Sequence, residues 1–328
     1  LITADIQRSL SITSGLLMRV AYFCGGTQTG DRLMIAIHKL AADATSWGII
    51  LRDIDSAYRA LAEGRSPGLP APTVQASHWA AQLAQDMTRF EAEIPYWQQL
   101  VAEAEDIPVS RPAADRQSDA HQHVVSLDTS QAALFSAEVH SVFGTDIEDL
   151  LLAALARACA RQWPEQNRVR VDIEYHGRDM SRGRMDLAAT VGWLSYVYPV
   201  SLDIENAMSS EVLLPDVKHR LRKVPNKGIG WSVLQQQADV RQIHPAGNGA
   251  LLFRYLGEFE QALDTEILQH VLEESADAQA RENRLVHPLI VTASRQGEQL
   301  RVEFGFDASV VEARVVKTLA AELIKALT

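Results

Sequence analysis

Apolar positions along this chain follow two periods that alternate from one segment to the next. The run 32–38, RLMIAIH, is short and almost continuously apolar, and it predicts a buried strand that delivers His38 to a turn. Over 47–61 apolar residues return at helical spacing. Glycine and proline gather over 64–72 and mark a loop, after which 77–100 resumes a helical period with Trp79, Leu83, Phe90 and Trp97 among its apolar positions. The stretch 108–122 has little apolar content and is expected to link two lobes, an N-terminal one over 1–107 and a C-terminal one over 123–328.

The second part continues in the same manner. A strand is predicted at 123–127, a helix at 130–143, and a strongly apolar helix at 146–163 with Thr145 as its expected N-cap. The segment RVRVDIEY over 168–175 alternates as a strand does and carries Glu174 to its end. Further strands are predicted at 196–202, 250–255, 289–293 and 300–306, and helices at 213–223 and 312–327. This interleaving predicts an α/β fold. No internal repeat or low-complexity tract interrupts it.

Composition narrows the function classes. At 328 residues the chain is long enough for two lobes, because a single core seldom grows past about 250–300 residues. No apolar run approaches the roughly 18 residues that span a bilayer, and the opening LITADIQRSL lacks the parts of a signal peptide. No membrane partner and a cytoplasmic location are therefore expected. Cys24 and Cys159 lie far apart, without a CxxC or a His at metal-ligand spacing, and are expected to be buried free thiols; no metal is implied. A net charge of −11 with scattered basic residues argues against nucleic acid. The one basic cluster, at 218–223, is read as a solvated helix face. There is no GxSxG, P-loop or dinucleotide fingerprint.

Five segments carry the chemistry. His38-Lys39-Leu40-Ala41-Ala42-Asp43-Ala44, followed by Thr45-Ser46-Trp47, is similar to the HHxxxDG motif of the condensation-domain superfamily with an xSW tail. Glu174-Tyr175-His176-Gly177-Arg178-Asp179 resembles EGHGRE, and the segment from Val191-Gly192-Trp193 to Tyr198-Pro199-Val200 resembles VGWFTxxYPV. Val224-Pro225-Asn226-Lys227-Gly228-Ile229-Gly230-Trp231 is similar to VPNKGIGY, and Phe253-Arg254-Tyr255-Leu256-Gly257-Glu258-Phe259 to FNYLGQF. In this order the five resemble the epimerization-type domain of nonribosomal peptide synthetases, over nearly the whole chain. The early position of His38 implies, by that resemblance, that the opening part of the first lobe is missing.

The resemblance implies two chloramphenicol-acetyltransferase-like lobes in a V shape with a central tunnel, the first lobe incomplete. A carrier protein would supply its phosphopantetheine-bound aminoacyl or peptidyl thioester, with neighbouring synthetase domains as further partners and no intrinsic cofactor. By the same resemblance the catalytic positions are Lys39, Glu174 and Tyr255, the structural motif positions are His38, Asp43, Ala44, His176 and Arg178, and Arg254, Trp193 and Asn226 line the tunnel. The chemistry makes sense of His and Glu at such a site. A thioester acidifies its α-carbon, and inversion there needs a base on one side and a proton donor on the other.

Three positions depart from the pattern. Lys39 replaces the second motif His, and an amine of ordinary pKa near 10.4 is a poor base at neutral pH. Ala44 replaces a glycine, where a side chain is expected to crowd the turn or resist a positive φ. Arg254 replaces an Asn with a permanent cation. If Lys39 and Arg254 both project toward Glu174, they hold it ionised. Three readings stay open on the sequence: an L-to-D epimerase, a catalytically silent domain of the same fold that docks a carrier, and a condensation-type acyltransferase.

Overall fold

A computed structural model describes residues 2–25, 30–71, 74–110, 119–128, 130, 146–180, 185–204, 210–236, 248–257, 285–296 and 299–328. The elements are α1 (Ile2–Arg8), β1 (Met18–Phe23), β2 (Arg32–Ile37), α2 (Ala44–Ala62), α3 (Ala76–Gln85), α4 (Met87–Phe90), α5 (Ile94–Glu103), β3 (Ala120–Leu127), α6 (Ile147–Gln162), β4 (Arg168–Tyr175), β5 (Tyr196–Asp203), α7 (Ser210–Lys223), α8 (Ile229–Leu234), β6 (Leu251–Tyr255), β7 (Leu289–Gln296), β8 (Gln299–Asp307) and α9 (Ala313–Leu327). The fold is α/β, as the alternation of periods predicts. The helix predicted at 130–143 and Thr145 lie outside the described residues apart from residue 130. Asp146 takes the N-cap position of α6, with Asp149 accepting its backbone N–H at 3.0 Å.

Two compact units emerge from the packing, and each is described by itself. The first contains Leu1–Trp79 and Arg178–Ser195; the second contains Ala80–Gly177, Tyr196–Gln261 and Arg281–Thr328. They follow packing and not chain order, so residues 80–107, which the sequence reading counts with the first lobe, share the second unit.

In the first unit β1 and β2 form a two-stranded antiparallel sheet, Met18 opposite Ile37 and Phe23 opposite Arg32. The strand expected to be buried is only partly so. Ala36 is buried while Leu33 is 40% exposed, because β2 pairs with β1 alone among the described strands. Asp43 caps α2, its side chain accepting Ser46 N–H at 3.0 Å, which satisfies one of the orphan donors of a helix start.

The second unit is built on a six-stranded sheet of order β3-β8-β7-β6-β4-β5. The pairs β4/β6 and β6/β7 are parallel and the other three antiparallel. Strands β4 and β5 are buried along most of their length, and the polar residues that the alternation of β4 places inside, Arg170 and Asp172, pair with each other. Helix α9 buries Val316, Leu319, Ala320 and Leu323, one stripe at helical spacing, and packs on α6. Helix α6 is apolar nearly all round because α7 as well as α9 lies against it. The helical period predicted over 77–100 is broken into α3, α4, a 3₁₀ turn at Glu91–Glu93 and α5. Pro95 stands at the start of α5, where its missing N–H costs no helical hydrogen bond, and so favours a fresh start there. The basic cluster on α7 is largely neutralised: Arg220 pairs with Asp203 and Asp216, and Arg222 with Asp149 and Asp146.

One polar cluster lies inside this unit. The Asp172 carboxylate on β4 accepts from Arg170 Nε at 3.0 Å and from Gly249 N–H at 2.8 Å, and lies 3.0 Å from His287 Nε2. Burial pushes the Asp172 carboxyl up, but the His287 hydrogen bond, the Arg170 charge and the Gly249 N–H outweigh it, and the group sits below the ordinary carboxylate range. The cluster ties β4 to the chain entering β6 and β7. Asp172→Ala leaves a guanidinium buried without its carboxylate and is expected to cost about 3–5 kcal/mol in urea unfolding; a loss below about 1 kcal/mol would show that β6 is placed by other contacts.

Candidate functional site

The turn after β2 carries the first motif. His38 N–H donates to Leu17 O at 2.8 Å, His38 O accepts Ala41 N–H at 2.8 Å, and His38 Nδ1 accepts Leu40 N–H at 3.2 Å. The half-buried imidazole thus braces the turn from within. Lys39 stands exposed at its tip, with Nζ 4.9 Å from the centre of the Trp193 ring. An ammonium over an indole face is held by the ring's negative quadrupole, an attraction that only the charged form enjoys. Trp193 is itself fixed, its Nε1 donating to Ser195 O at 3.0 Å.

Asp43 gathers the donors of this unit. Arg178 donates to it from both ends of its guanidinium, Nη1 to Oδ2 and Nη2 to Oδ1, each at 2.8 Å. Leu194 N–H and Ser195 N–H reach Oδ2 at 3.0 and 3.2 Å, and Ser46 Oγ donates to Oδ1 at 2.8 Å. Ser46 Oγ accepts in turn from Gly192 N–H at 3.1 Å and from Arg178 Nη2 at 3.0 Å. Arg178 Nη2 also reaches Thr190 O at 3.0 Å. Asp43 and Arg178 are both buried. Burial alone pushes the Asp43 carboxyl up, but the Arg178 hydrogen bonds and charge, with Leu194 N–H and Ser46, more than offset this and hold it below the ordinary range.

Ala44 does not disturb the turn. It is the first residue of α2, and among the described residues only Asn226 and Lys227 are non-glycine residues with positive φ. The expectation that a side chain at 44 resists the backbone therefore fails, because Asp43 starts the helix and position 44 lies in its ordinary right-handed region. Gly192, in contrast, is required by close approach: a Cβ there would meet Ala76 Cβ at 2.6 Å.

In the second unit Glu174 pairs across the sheet with Arg254, and Arg254 with Thr292. Arg254 Nη1 lies 3.7 Å from Glu174 Oε2, while Arg254 Nε donates to Thr292 Oγ1 at 2.8 Å. The arrangement is a ladder of three residues at one level of three strands, with Thr292 orienting the guanidinium. Tyr255 follows on β6, where strand alternation turns its side chain to the face opposite Arg254. Tyr175 lies against His176 at a ring separation of 4.6 Å and against Tyr196 at 5.8 Å.

The VPNKGIGW segment forms a tight loop onto α8. Asn226 and Lys227 both adopt left-handed backbone, φ 44° and 53°. Tyr196 Oη donates to Lys227 O at 3.0 Å, and Lys227 Nζ lies 3.3 Å from Tyr175 Oη. Gly228 has φ 87°, and a Cβ on it would meet the Tyr198 ring at 2.1 Å. The amide of Asn226 donates to Glu93 Oε1 at 2.5 Å, and Trp97 Nε1 donates to Glu93 Oε2 at 3.0 Å. Burial raises the Glu93 carboxyl, an effect that Asn226, Trp97 and the Arg89 charge only partly offset. Trp231 packs on Trp97 with ring centres 5.3 Å apart, a packing contact.

Sequence reasoning missed Ser46, Thr190, Glu93 and Thr292. Ser46 had a signal, since it lies in the xSW tail; Glu93 and Thr292 stand outside every motif and only the fold brings them in. Among the described residues no group of three or more His, Cys, Asp or Glu is placed to hold a metal, and no helix is long and apolar enough to cross a membrane.

The condensation-domain family model matches residues 1–328. The crystal structure of the epimerization domain from the third module of tyrocidine synthetase B superposes with a TM-score of 0.89 at 28% identity, covering 99% of this chain and 74% of that one. A linear gramicidin synthase polypeptide of Brevibacillus parabrevis is 32% identical over 99% of this chain, which spans 4% of that polypeptide. Tyrocidine synthase 2 of the same organism is 31% identical over 96% of this chain, which spans 9% of its length. The first condensation domain of the calcium-dependent antibiotic synthetase shares the fold, at 17% identity and a TM-score of 0.67.

Because Asp43 titrates below its ordinary value in the folded chain, its contribution is present above the unfolded pKa of about 4 and is lost as pH falls through the lowered folded value. Asp43→Asn is expected to destabilise the chain by about 3–5 kcal/mol near neutral pH, since it removes the charge that meets both Nη atoms of the buried Arg178. The urea midpoints of parent and variant should converge on acidification below about pH 4. A difference that stays constant across that window would mean the carboxylate's charge is not what holds the loop.

Proposed function

Because this chain belongs to the condensation-domain family, we propose that it works as an epimerization-type domain of a nonribosomal peptide synthetase, on an aminoacyl or peptidyl thioester delivered by a carrier protein. The observation that carries the reading is the TM-score of 0.89 against an epimerization domain at 28% identity, together with the five motifs in their order. The phosphopantetheine arm comes with the carrier, and the chain's own residues receive it.

In such a domain one group takes the α-proton of the thioester, leaving an enolate, and a second returns a proton to the opposite face of the same carbon. Glu174 is the carboxylate retained for one of these steps. Lys39 occupies the position of the other, and it enters as a cation seated on Trp193. Arg254 holds Glu174 as a paired carboxylate and is itself aimed by Thr292. An ammonium at position 39 has no lone pair with which to take the α-proton, and the Glu174 carboxylate shares its surroundings with the Arg254 guanidinium 3.7 Å away. Asp43 and Arg178 are positioning residues, since they fix the turn bearing Lys39 and the segment bearing Trp193. The Lys39–Trp193 pair also favours a second reading, in which the domain docks the carrier-bound thioester without turning it over.

The assay is chiral analysis of the amino acid released from a loaded carrier protein. The parent is expected to epimerize about a hundred- to ten-thousandfold more slowly than a domain with the intact HHxxxDG motif, the usual worth of a general base. Lys39→His alone restores little while Arg254 still holds Glu174. Lys39→His with Arg254→Asn restores more than the two single changes predict together. Ala44→Gly adds nothing, because position 44 is already helical. Rapid L-to-D conversion by the parent, abolished by Lys39→Ala, would overturn this account and make Lys39 a working base.

A further inference from the structure

The loop 225–230 holds two consecutive non-glycine residues in left-handed backbone, a conformation that costs on the order of 1–3 kcal/mol per residue and persists only where surrounding contacts impose it. One side chain outside every motif meets the loop at two points. Glu93 is 7% exposed, in the 3₁₀ turn between α4 and α5. Its Oε1 takes the Asn226 amide at 2.5 Å and its Oε2 the Trp97 indole N–H at 3.0 Å. It also stands where a side chain at 230 would be, since a Cβ on Gly230 would come 2.1 Å from Oε2. The second glycine of the loop is therefore a consequence of the carboxylate. From the other side Tyr196 holds Lys227 O, and Lys227 Nζ reaches Tyr175.

We infer that Glu93 is a positioning residue: its buried carboxylate fixes the left-handed conformation of the 226–230 loop, and through it the stance of Asn226 and Lys227 toward a carrier-bound thioester. The last clause rests on the proposed function, whereas the hold on the loop does not. A polar group at 93 can serve only if it meets an N–H from Trp97 with one atom and the side chain of residue 226 with the other. Glutamine does this with its oxygen to Trp97 and its amide toward 226, and Asn226 can turn its own oxygen to meet it. Alanine does neither. The change Asn226→Asp sets a second carboxylate against that of Glu93, and adding Glu93→Gln to it restores a charge-assisted bond with its polarity reversed.

The test is made on the full 328-residue chain, with two readouts. The first is the amide signals of Lys227, Gly228 and Gly230 and the indole signal of Trp97 in nitrogen-15 spectra. The second is the affinity for S-acetyl-phosphopantetheine. Glu93→Ala and Asn226→Asp are expected to displace all four signals and to weaken the affinity about ten- to hundredfold, the scale of losing a hydrogen bond to a charged group. Glu93→Gln should stay within about threefold of the parent, and Glu93→Gln with Asn226→Asp should recover most of what Asn226→Asp loses. Unmoved loop signals in Glu93→Ala would overturn the inference. So would displaced signals with unchanged affinity, since Glu93 would then brace the loop without positioning anything the ligand meets. If the parent itself does not bind the thioester while the loop signals still depend on Glu93, the proposed function fails and the hold of Glu93 on the loop stands.

Discussion

A single buried carboxylate organises the first unit. Asp43 caps α2, receives both ends of the Arg178 guanidinium and takes the N–H groups of Leu194 and Ser195. Without it the Arg178 guanidinium would lose the carboxylate that meets both its Nη atoms, and the backbone N–H groups of Leu194 and Ser195 would lose their acceptor. Removing a charge from water is costly, and only a full set of donors makes it tolerable. Around the pair, Ser46 Oγ donates to Asp43, and Ser46 Oγ and Thr190 O accept from Arg178 Nη2. The positions of Lys39, four residues before the cap, and of Trp193, beside the segment that the cap holds, follow from it.

Two departures from the family pattern each place a cation, Lys39 on the turn after β2 and Arg254 on β6. Lys39 lies on an indole face and Arg254 lies between Thr292 and Glu174. These are independent placements in different units, made by different contacts. Under the proposed function, both departures from the family pattern bear on the groups that would handle the α-proton. A single replacement could be compensated by its neighbours; here the neighbours reinforce both.

Much of the fold was legible because it rests on period. The alternation of RVRVDIEY places β4 at Arg168–Tyr175 with its observed bounds, and the helical stripes predict α2, α6 and α9 within a few residues. Strand β1 escaped because six residues are too few to establish a period on their own, and its Met18, Val20 and Tyr22 remain exposed. The break between α3 and α5 escaped because apolar spacing passes through it, with only Pro95 to signal a new start. At the site, the motifs marked Asp43 and Arg178, which do meet, and Glu174 and Arg254, which also meet. The sequence reading of Ala44 erred by attributing to backbone strain a position that the Asp43 cap places in a helix. Glu93 and Thr292 had no local signal, since each acts only through residues that the fold carries to it.

Under the proposed function, Lys39 in place of the motif His and Arg254 beside Glu174 slow the exchange of the α-proton of a carrier-bound thioester. The direct measurement is intact-mass detection of deuterium uptake by an aminoacyl thioester on its carrier protein in heavy water. The account predicts no gain of an α-deuteron by the carrier-bound aminoacyl group over the time in which a domain with the intact motif completes the exchange. Uptake of one deuteron at the α-carbon by the parent chain, on the timescale of the intact domain, would contradict it.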